Sequence, residues 1–207
     1  MRRVTALIVA AGRGSRFGGP LPKQYALLDG QPVLRRTIAA FRATPAVGRI
    51  VVVIGAEDDA RYEAATRGLG LPAPVPGGTS RQQSVLHGLE ALAAAAPEFV
   101  AIHDAARPFV RPADIEACLA AASADGIDGA ILGIPLADTL KRVGAGQTIT
   151  ETVPRSDLWR AQTPQMFRYR VLIEALRRAD IAAVTDESSA VEQTGAKPKL
   201  VAGSAGN

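Results

Sequence analysis

Cations recur in this chain where glycine and proline interrupt the apolar pattern. The stretch AAGRGSRFGGPLPKQY, residues 10–25, follows an apolar run and gathers Arg13, Arg16 and Lys23 in one loop. A loop leaving a buried strand carries unpaired backbone N–H groups, and glycine lets that backbone approach an anion closely. With Arg16 and Lys23 added, the loop reads as a cradle for a triphosphate. A structural turn with incidental cations is the alternative, because Gly and Pro alone account for a turn. In HDAARP, residues 103–108, Asp104 precedes Arg107 by one turn. The two either face a polar ligand as carboxylate and guanidinium, or form a local ion pair of little energetic value. GGTSRQQS, residues 77–84, sets Ser80, Arg81 and Ser84 at a helix start, which suits an anion or a ribose hydroxyl and equally a plain serine cap. The common phosphate motifs are not met. Gly12 and Gly14 begin a G-x-G-x-x-G, but Phe17 stands at its third glycine, and no G-K-[ST] follows. This argues against a dehydrogenase or an ATPase of the usual kinds.

The elements that must position these loops are legible in the patterning. VTALIVAA, RIVVVIG, FVAIHD and GAILGIPL read as short apolar strands, and PVLRRTIAAFRA, SRQQSVLHGLEALAAA and PADIEACLAAASA read as helices between them. Strand and helix in alternation imply parallel βαβ units, hence an α/β, Rossmann-like, doubly wound and mostly parallel sheet. Ligands of such sheets bind beyond the carboxyl ends of the strands, so the loops after Ala11, Val75 and Ile102 should share one edge. DTLKRVGAGQTITETVPR has two polar, partly β-branched runs around Gly144, Ala145 and Gly146, without the apolar face of a core strand. It reads as a projecting hairpin, residues 137–156, which as an isolated ribbon needs a partner surface; a plain surface loop is the alternative. TDESSAVEQTG reads as a helix capped by Thr185 or Asp186, followed by a short strand KLVAGS.

The chain has 207 residues, 47% of them apolar, with no linker or repeat, which fits one domain over 1–207. A single cysteine, Cys118, excludes an internal disulfide and reads as a small buried hydrophobe, so a cytoplasmic setting is expected. No stretch reaches the roughly 18 apolar residues of a membrane helix. The net charge is +4 with pI near 9.6, yet the cations are scattered and aromatics are 4%. Nucleic acid is therefore not the expected partner. His87 and His103 read as structural and as a supporting or packing residue.

Six motifs in this order, AAGRGSRFGGPLPKQY, GGTSRQQSV, HDAARPF, DTLKR, RAQTPQMF and TDESSAVE, resemble the 2-C-methyl-D-erythritol 4-phosphate cytidylyltransferase family of the non-mevalonate isoprenoid pathway. The resemblance covers essentially the whole chain. It implies a nucleotidyltransferase that joins CTP to methylerythritol phosphate and releases pyrophosphate, with Mg²⁺ held mainly by the CTP phosphates and no metal ligands from the protein. Carried over by position, Arg16 and Lys23 would be catalytic at the α-phosphate. Ala10, Ala11, Gly12, Gly78 and Ser84 would line the nucleotide pocket, with Arg81 near it. Asp104 and Arg107 would face the sugar-alcohol phosphate, and Thr163 and Thr185 would lie beside the site. Thr139 and Arg155, on the arm of a homodimer, would reach the partner's site. Two departures stand out: Thr79 replaces a commonly acidic residue, and members of the family continue beyond Asn207 with a lysine that helps position the substrate phosphate. The resemblance thus implies either a truncated chain or one that continues into a second domain, as in bifunctional relatives. A ribitol 5-phosphate cytidylyltransferase and a catalytically inactive nucleotide-binding protein are the alternatives. Ala105 and Ala106 favour the methylerythritol enzyme over the first, and the retained cations argue against the second.

Overall fold

The computed structural model describes residues 3–12, 21–180 and 183–207. The first strand, β1 (Val4–Ala10), is buried at every position, as a strand covered on both faces must be. A two-residue pair, β2 (Leu27–Leu28) and β3 (Gln31–Pro32), precedes α1 (Val33–Arg42). That helix buries Leu34, Thr37, Ile38 and Phe41, the 3.6-residue spacing of a single apolar stripe. Next come β4 (Val47–Ile54), α2 (Asp59–Thr66), β5 (Val75–Pro76), α3 (Arg81–Ala91) and β6 (Phe99–Asp104). Then α4 (Pro112–Ala122), opened by a proline in its first turn, leads into β7 (Gly129–Pro135).

The expected hairpin is present as β8 (Leu140–Val143) and β9 (Ile149–Val153), an antiparallel pair outside the main sheet. The chain continues through β10 (Trp159–Arg168), α5 (Tyr169–Arg178), α6 (Glu187–Glu192) and β11 (Lys199–Ala202). Asp186 caps α6 through a capping box with Ser189, and the tail strand expected at KLVAGS is β11.

The seven-stranded sheet runs in the order β11, β7, β10, β6, β1, β4, β5. All neighbours are parallel except those of β10, which is antiparallel to both β6 and β7. The α/β, mostly parallel sheet read from the pattern is therefore correct. Alternate residues of the strands point to opposite faces. Leu7, Val53 and Ile102 pack with α3, α5 and α6, and Ile8, Val52 and Ala101 pack with α1 and α4. No periodicity marks RAQTPQMF as a strand, since a proline argues against a central one. The sheet accommodates Pro164 because pairing between β10 and β7 skips from Gln162 to Gln165; the Thr163–Pro164 peptide is cis.

Helix α3 lies close on the sheet. A Cβ built at Gly88 would sit 2.7 Å from both Leu7 Cδ atoms and 2.8 Å from Val53 Cγ2. Overfilling a dense core costs about 1–3 kcal/mol, so Gly88→Val is expected to destabilise the protein by that amount in urea denaturation. An unchanged midpoint would show that α3 lifts from the sheet without cost.

Candidate active site

Three parallel strands, β1, β5 and β6, end at one edge of the sheet, and the three cation-bearing loops leave from there. The opening loop is tied at both ends to β1. Gln24, buried within the Lys23–Tyr25 turn, donates its side-chain amide to Ala10 O at 2.6 Å and to Gly12 O at 3.0 Å. Lys23, the preceding residue, is thereby returned to the strand end from which the loop departed. Arg16 lies outside the described residues.

The GGTSR loop is folded against the same edge. The Gly77 N–H donates to Ile54 O at 2.8 Å, and a Cβ at Gly77 would meet Ala11 Cβ at 2.6 Å and Ser84 Oγ at 2.9 Å. Only glycine fits where three segments approach this closely. Ser84 Oγ accepts from the Gly78 N–H at 3.0 Å and donates to Ser80 O at 2.8 Å, while Ser80 caps α3 by accepting from the Gln83 N–H. Thr79 donates both its N–H and its hydroxyl to Gln83 Oε1. Ala10, Ala11, Gly12, Gly78 and Ser84 are thus brought to one end of the sheet.

The third loop carries the charge. Asp104 Oδ1 accepts from Arg81 Nε at 3.1 Å, and its Oδ2 faces Arg107 Nε at 3.3 Å. Arg81 in turn forks onto Glu187 at 2.6 and 3.1 Å, and the Glu187 side chain is 1% exposed. The result is a chain of alternating charge, Glu187, Arg81, Asp104 and Arg107, drawn from α6, α3 and β6 with its following loop. Burial pushes the Asp104 carboxyl up, but Arg81 and the other positive neighbours together outweigh burial and hold it below the usual carboxylate range. Burial raises the Glu187 carboxyl against the pull of Arg81. Arg107 also donates to the Asn207 main-chain oxygen at 2.9 Å.

Behind Asp104 lies a polar relay. His103 is fully buried beside the Phe41 ring, and its Nε2 lies 3.1 Å from Arg107 O. A carbonyl can only accept, so Nε2 carries the hydrogen, and Nδ1 accepts from the Thr163 hydroxyl at 3.0 Å. Thr163 Oγ1 accepts from the Asp104 N–H at 3.2 Å. Thr163, expected beside the site, therefore fixes the backbone of Asp104. Thr185 is exposed just before α6, where its N–H donates to Ser189 Oγ. Thr139 and Arg155 are exposed at the base of the hairpin. Arg155 donates to Ala137 O, and among the described residues no hydrogen bond or ion pair joins either to the Asp104 cluster.

An open pocket of about 180 Å³ borders the cluster, lined by Arg107, Arg160, Gln162 and Asn207 with Ile134, Ala161 and Ala205. Among the described residues no group of three His, Cys, Asp or Glu side chains is placed to hold a metal, and both oxygens of Asp104 already face guanidinium groups. Cys118 is buried, with its thiol pushed up to about 12 by burial, and takes no part. His87 is exposed, with Nδ1 at 3.2 Å from Pro76 O.

Glu187, Gln24, Gln162 and Gln165 carry roles that the sequence patterns missed. Gln165 donates to Asp186 Oδ2 and accepts from the Ser188 N–H, which seats the start of α6 against β10. The repeated glutamines of AQTPQ were the available signal. Glu187 had none, being 106 residues from Arg81.

A family model for 2-C-methyl-D-erythritol 4-phosphate cytidylyltransferase matches residues 4–207. A bifunctional enzyme IspD/IspF of Rhodospirillum rubrum is 49% identical, across all of this chain and 53% of the relative. A 2-C-methyl-D-erythritol 4-phosphate cytidylyltransferase of Dechloromonas aromatica is 46% identical, across all of this chain and 91% of the relative. The chain thus spans about half of the bifunctional relative and most of the other. A crystal structure of 4-diphosphocytidyl-2C-methyl-D-erythritol synthase superposes with a TM-score of 0.85 at 36% identity, covering all of this chain and 92% of that one.

Two outcomes follow from the buried charges and the relay. Burial carries His103 from an ordinary 6.5 down to about 4. The unfolded chain therefore binds the proton first, and stability falls as pH drops from about 6.5 to 4. At about 1.4 kcal/mol per pH unit the loss reaches roughly 3 kcal/mol. It is measured as the difference between wild type and the non-titrating His103→Gln, and parallel pH profiles would remove His103 as the cause. Removing Arg81 leaves Glu187 as a buried carboxyl without counter-charge, so Arg81→Ala is expected to cost about 3–5 kcal/mol near neutral pH. Because Glu187 then binds a proton more readily when folded, that cost shrinks as pH is lowered from 8 to 5. A cost independent of pH would exclude Glu187 as its origin.

Proposed function

This chain belongs to the 2-C-methyl-D-erythritol 4-phosphate cytidylyltransferase family, and we propose that it transfers the cytidylyl group of CTP to 2-C-methyl-D-erythritol 4-phosphate. The products are 4-diphosphocytidyl-2-C-methyl-D-erythritol and pyrophosphate. The observation that carries this reading is the convergence of the opening loop, the GGTSR loop and the Asp104 cluster at the carboxyl edge of β1, β5 and β6, the place where doubly wound sheets bind ligands.

In the proposed reaction a phosphate oxygen of the sugar-alcohol phosphate attacks the α-phosphorus of magnesium-bound CTP. The new P–O bond forms as the bond to the bridging oxygen of pyrophosphate breaks, and pyrophosphate leaves with the electron pair. A phosphate monoester has its second pKa near 6 and is largely dianionic at neutral pH, so no general base is required. The histidines agree with this: His103 is buried with both ring nitrogens engaged, and His87 Nδ1 lies 3.2 Å from a backbone oxygen.

The obstacle is the meeting of two anions, which fixed positive charge relieves. Lys23, returned to the end of β1 by Gln24, supplies that charge at the α-phosphate, and Arg16 is assigned the same role from sequence alone. Ala10, Ala11, Gly12, Gly78 and Ser84 take the nucleotide, with Arg81 bracing Asp104 beside it. Asp104 and Arg107 face the sugar-alcohol phosphate, with Thr163 behind them and Thr185 nearby. The magnesium belongs to the substrate, carried on its phosphates.

The hairpin serves as a dimerisation arm that brings Thr139 and Arg155 to the partner's site. Val143 and Ile149 pair across it and are 55% and 61% exposed, an apolar surface suited to burial against a second copy. The setting is cytoplasmic; among the described residues no helix is long and apolar enough to cross a membrane.

Pyrophosphate release with CTP and Mg²⁺ tests the reading. Release is expected with methylerythritol phosphate and not with ribitol 5-phosphate; the reverse pattern, or CTP binding without release, would overturn it. In the same assay Lys23→Ala is expected to lower turnover roughly 10²- to 10³-fold, the scale for losing one donor to a developing charge, with the denaturation midpoint unchanged. Near-normal turnover would exclude Lys23 from the mechanism.

A further inference from the structure

The pocket beside Asp104 holds one residue to which neither the motifs nor the proposed reaction gives a role. Arg160 lies on β10 opposite Ile134 and two residues before Gln162, so the two side chains share a face of the strand. Both line the pocket, together with Arg107. At about 180 Å³ the space is small beside the roughly 300–1,000 Å³ of sites that take whole drug-sized ligands. It suits the phosphate end of a short polyol rather than a nucleotide.

Charge decides what is missing. The four-membered chain of Glu187, Arg81, Asp104 and Arg107 sums to zero, since each guanidinium faces a carboxylate. Arg107 is further occupied by the Asn207 main-chain oxygen. A dianionic phosphate entering here would meet a network already neutralised within the chain. The Arg160 backbone is paired in the sheet, but its side chain is exposed, and no ion pair or side-chain hydrogen bond joins its guanidinium to another described residue. The planar fork of a guanidinium matches a phosphate in two-point contact. Gln162 and Asn207, which line the same pocket, complete a polar wall. The Gln162 amide donates to Ser204 O and Asn207 O, and the Asn207 amide donates to Thr163 O, which fixes this wall in place.

We propose that Arg160 binds the phosphate of the sugar-alcohol phosphate substrate across the pocket from Arg107 and sets the affinity for that substrate. The proposal rests on the cytidylyltransferase reading of this site. Arg160 acts in binding, and the reacting α-phosphorus remains the province of the opening loop.

The experiment compares wild type, Arg160→Ala and Arg160→Lys in pyrophosphate release, varying methylerythritol phosphate and CTP separately. A charge-assisted contact to phosphate is worth roughly a tenfold to hundredfold change in affinity. Arg160→Ala is therefore expected to raise the KM for the sugar-alcohol phosphate at least about tenfold, with the KM for CTP and kcat within about twofold of wild type. Arg160→Lys, which keeps the charge and loses the fork, should fall between the two. An unmoved KM for the sugar-alcohol phosphate beside normal wild-type turnover overturns the assignment of Arg160 alone. An equal rise in both KM values also overturns it, since that marks a general disturbance of the edge. A wild-type chain that releases no pyrophosphate with methylerythritol phosphate overturns the functional reading and the role of Arg160 with it.

Discussion

The site depends on one carboxylate held between two guanidinium groups at the end of a buried strand. Asp104 closes β6, and its two oxygens face Arg81 and Arg107. The position of each arginine is set elsewhere: Arg81 by the first turn of α3 and by buried Glu187 on α6, Arg107 by the loop that returns to the Asn207 backbone. A buried ion pair adds little net stability, because desolvation offsets the attraction, yet removal of either partner is costly. The charge chain therefore constrains more than it stabilises. It requires α3, α6 and the β6 loop to meet at one place.

Strand β10 makes that meeting possible from the other side. It runs against its neighbours, with Arg168 opposite Phe99 and Gln165 opposite Ile102, so its first half extends towards the edge where the parallel strands end. Arg160, Ala161 and Gln162 line the pocket for that reason. The hairpin of β8 and β9, which leads into this strand, begins beside the same edge. Thr163 then links β10 to β6 through the Asp104 N–H and His103, so the backbone under the carboxylate is held as firmly as the carboxylate itself.

The opening loop follows a different principle. Its ends are fixed by the buried side chain of Gln24, which bonds both Ala10 O and Gly12 O, and by the close approach of Gly77 to Ala11. A buried side chain bonded to the backbone and a close approach of small residues bring the ends of this loop to the sheet edge. The charge around Asp104, by contrast, is balanced by ion pairs within the chain.

Sequence by itself determined the local units and their order. The apolar runs of β1, β4, β6 and β7, the stripe of α1, the cap at Asp186 and the turn residues of the hairpin are nearest-neighbour properties. Parallel alternation then placed the three loops on one edge, and six motifs in register identified the family. The tertiary structure alone decided that a proline-containing segment is a central antiparallel strand, because a skipped pairing register, not local propensity, makes room for Pro164. It alone joined Arg81 to Glu187 across 106 residues and put Arg160 beside Arg107. Such pairings depend on the order of strands in the sheet and on which buried charges must find partners, and neither is written in the spacing of residues along the chain.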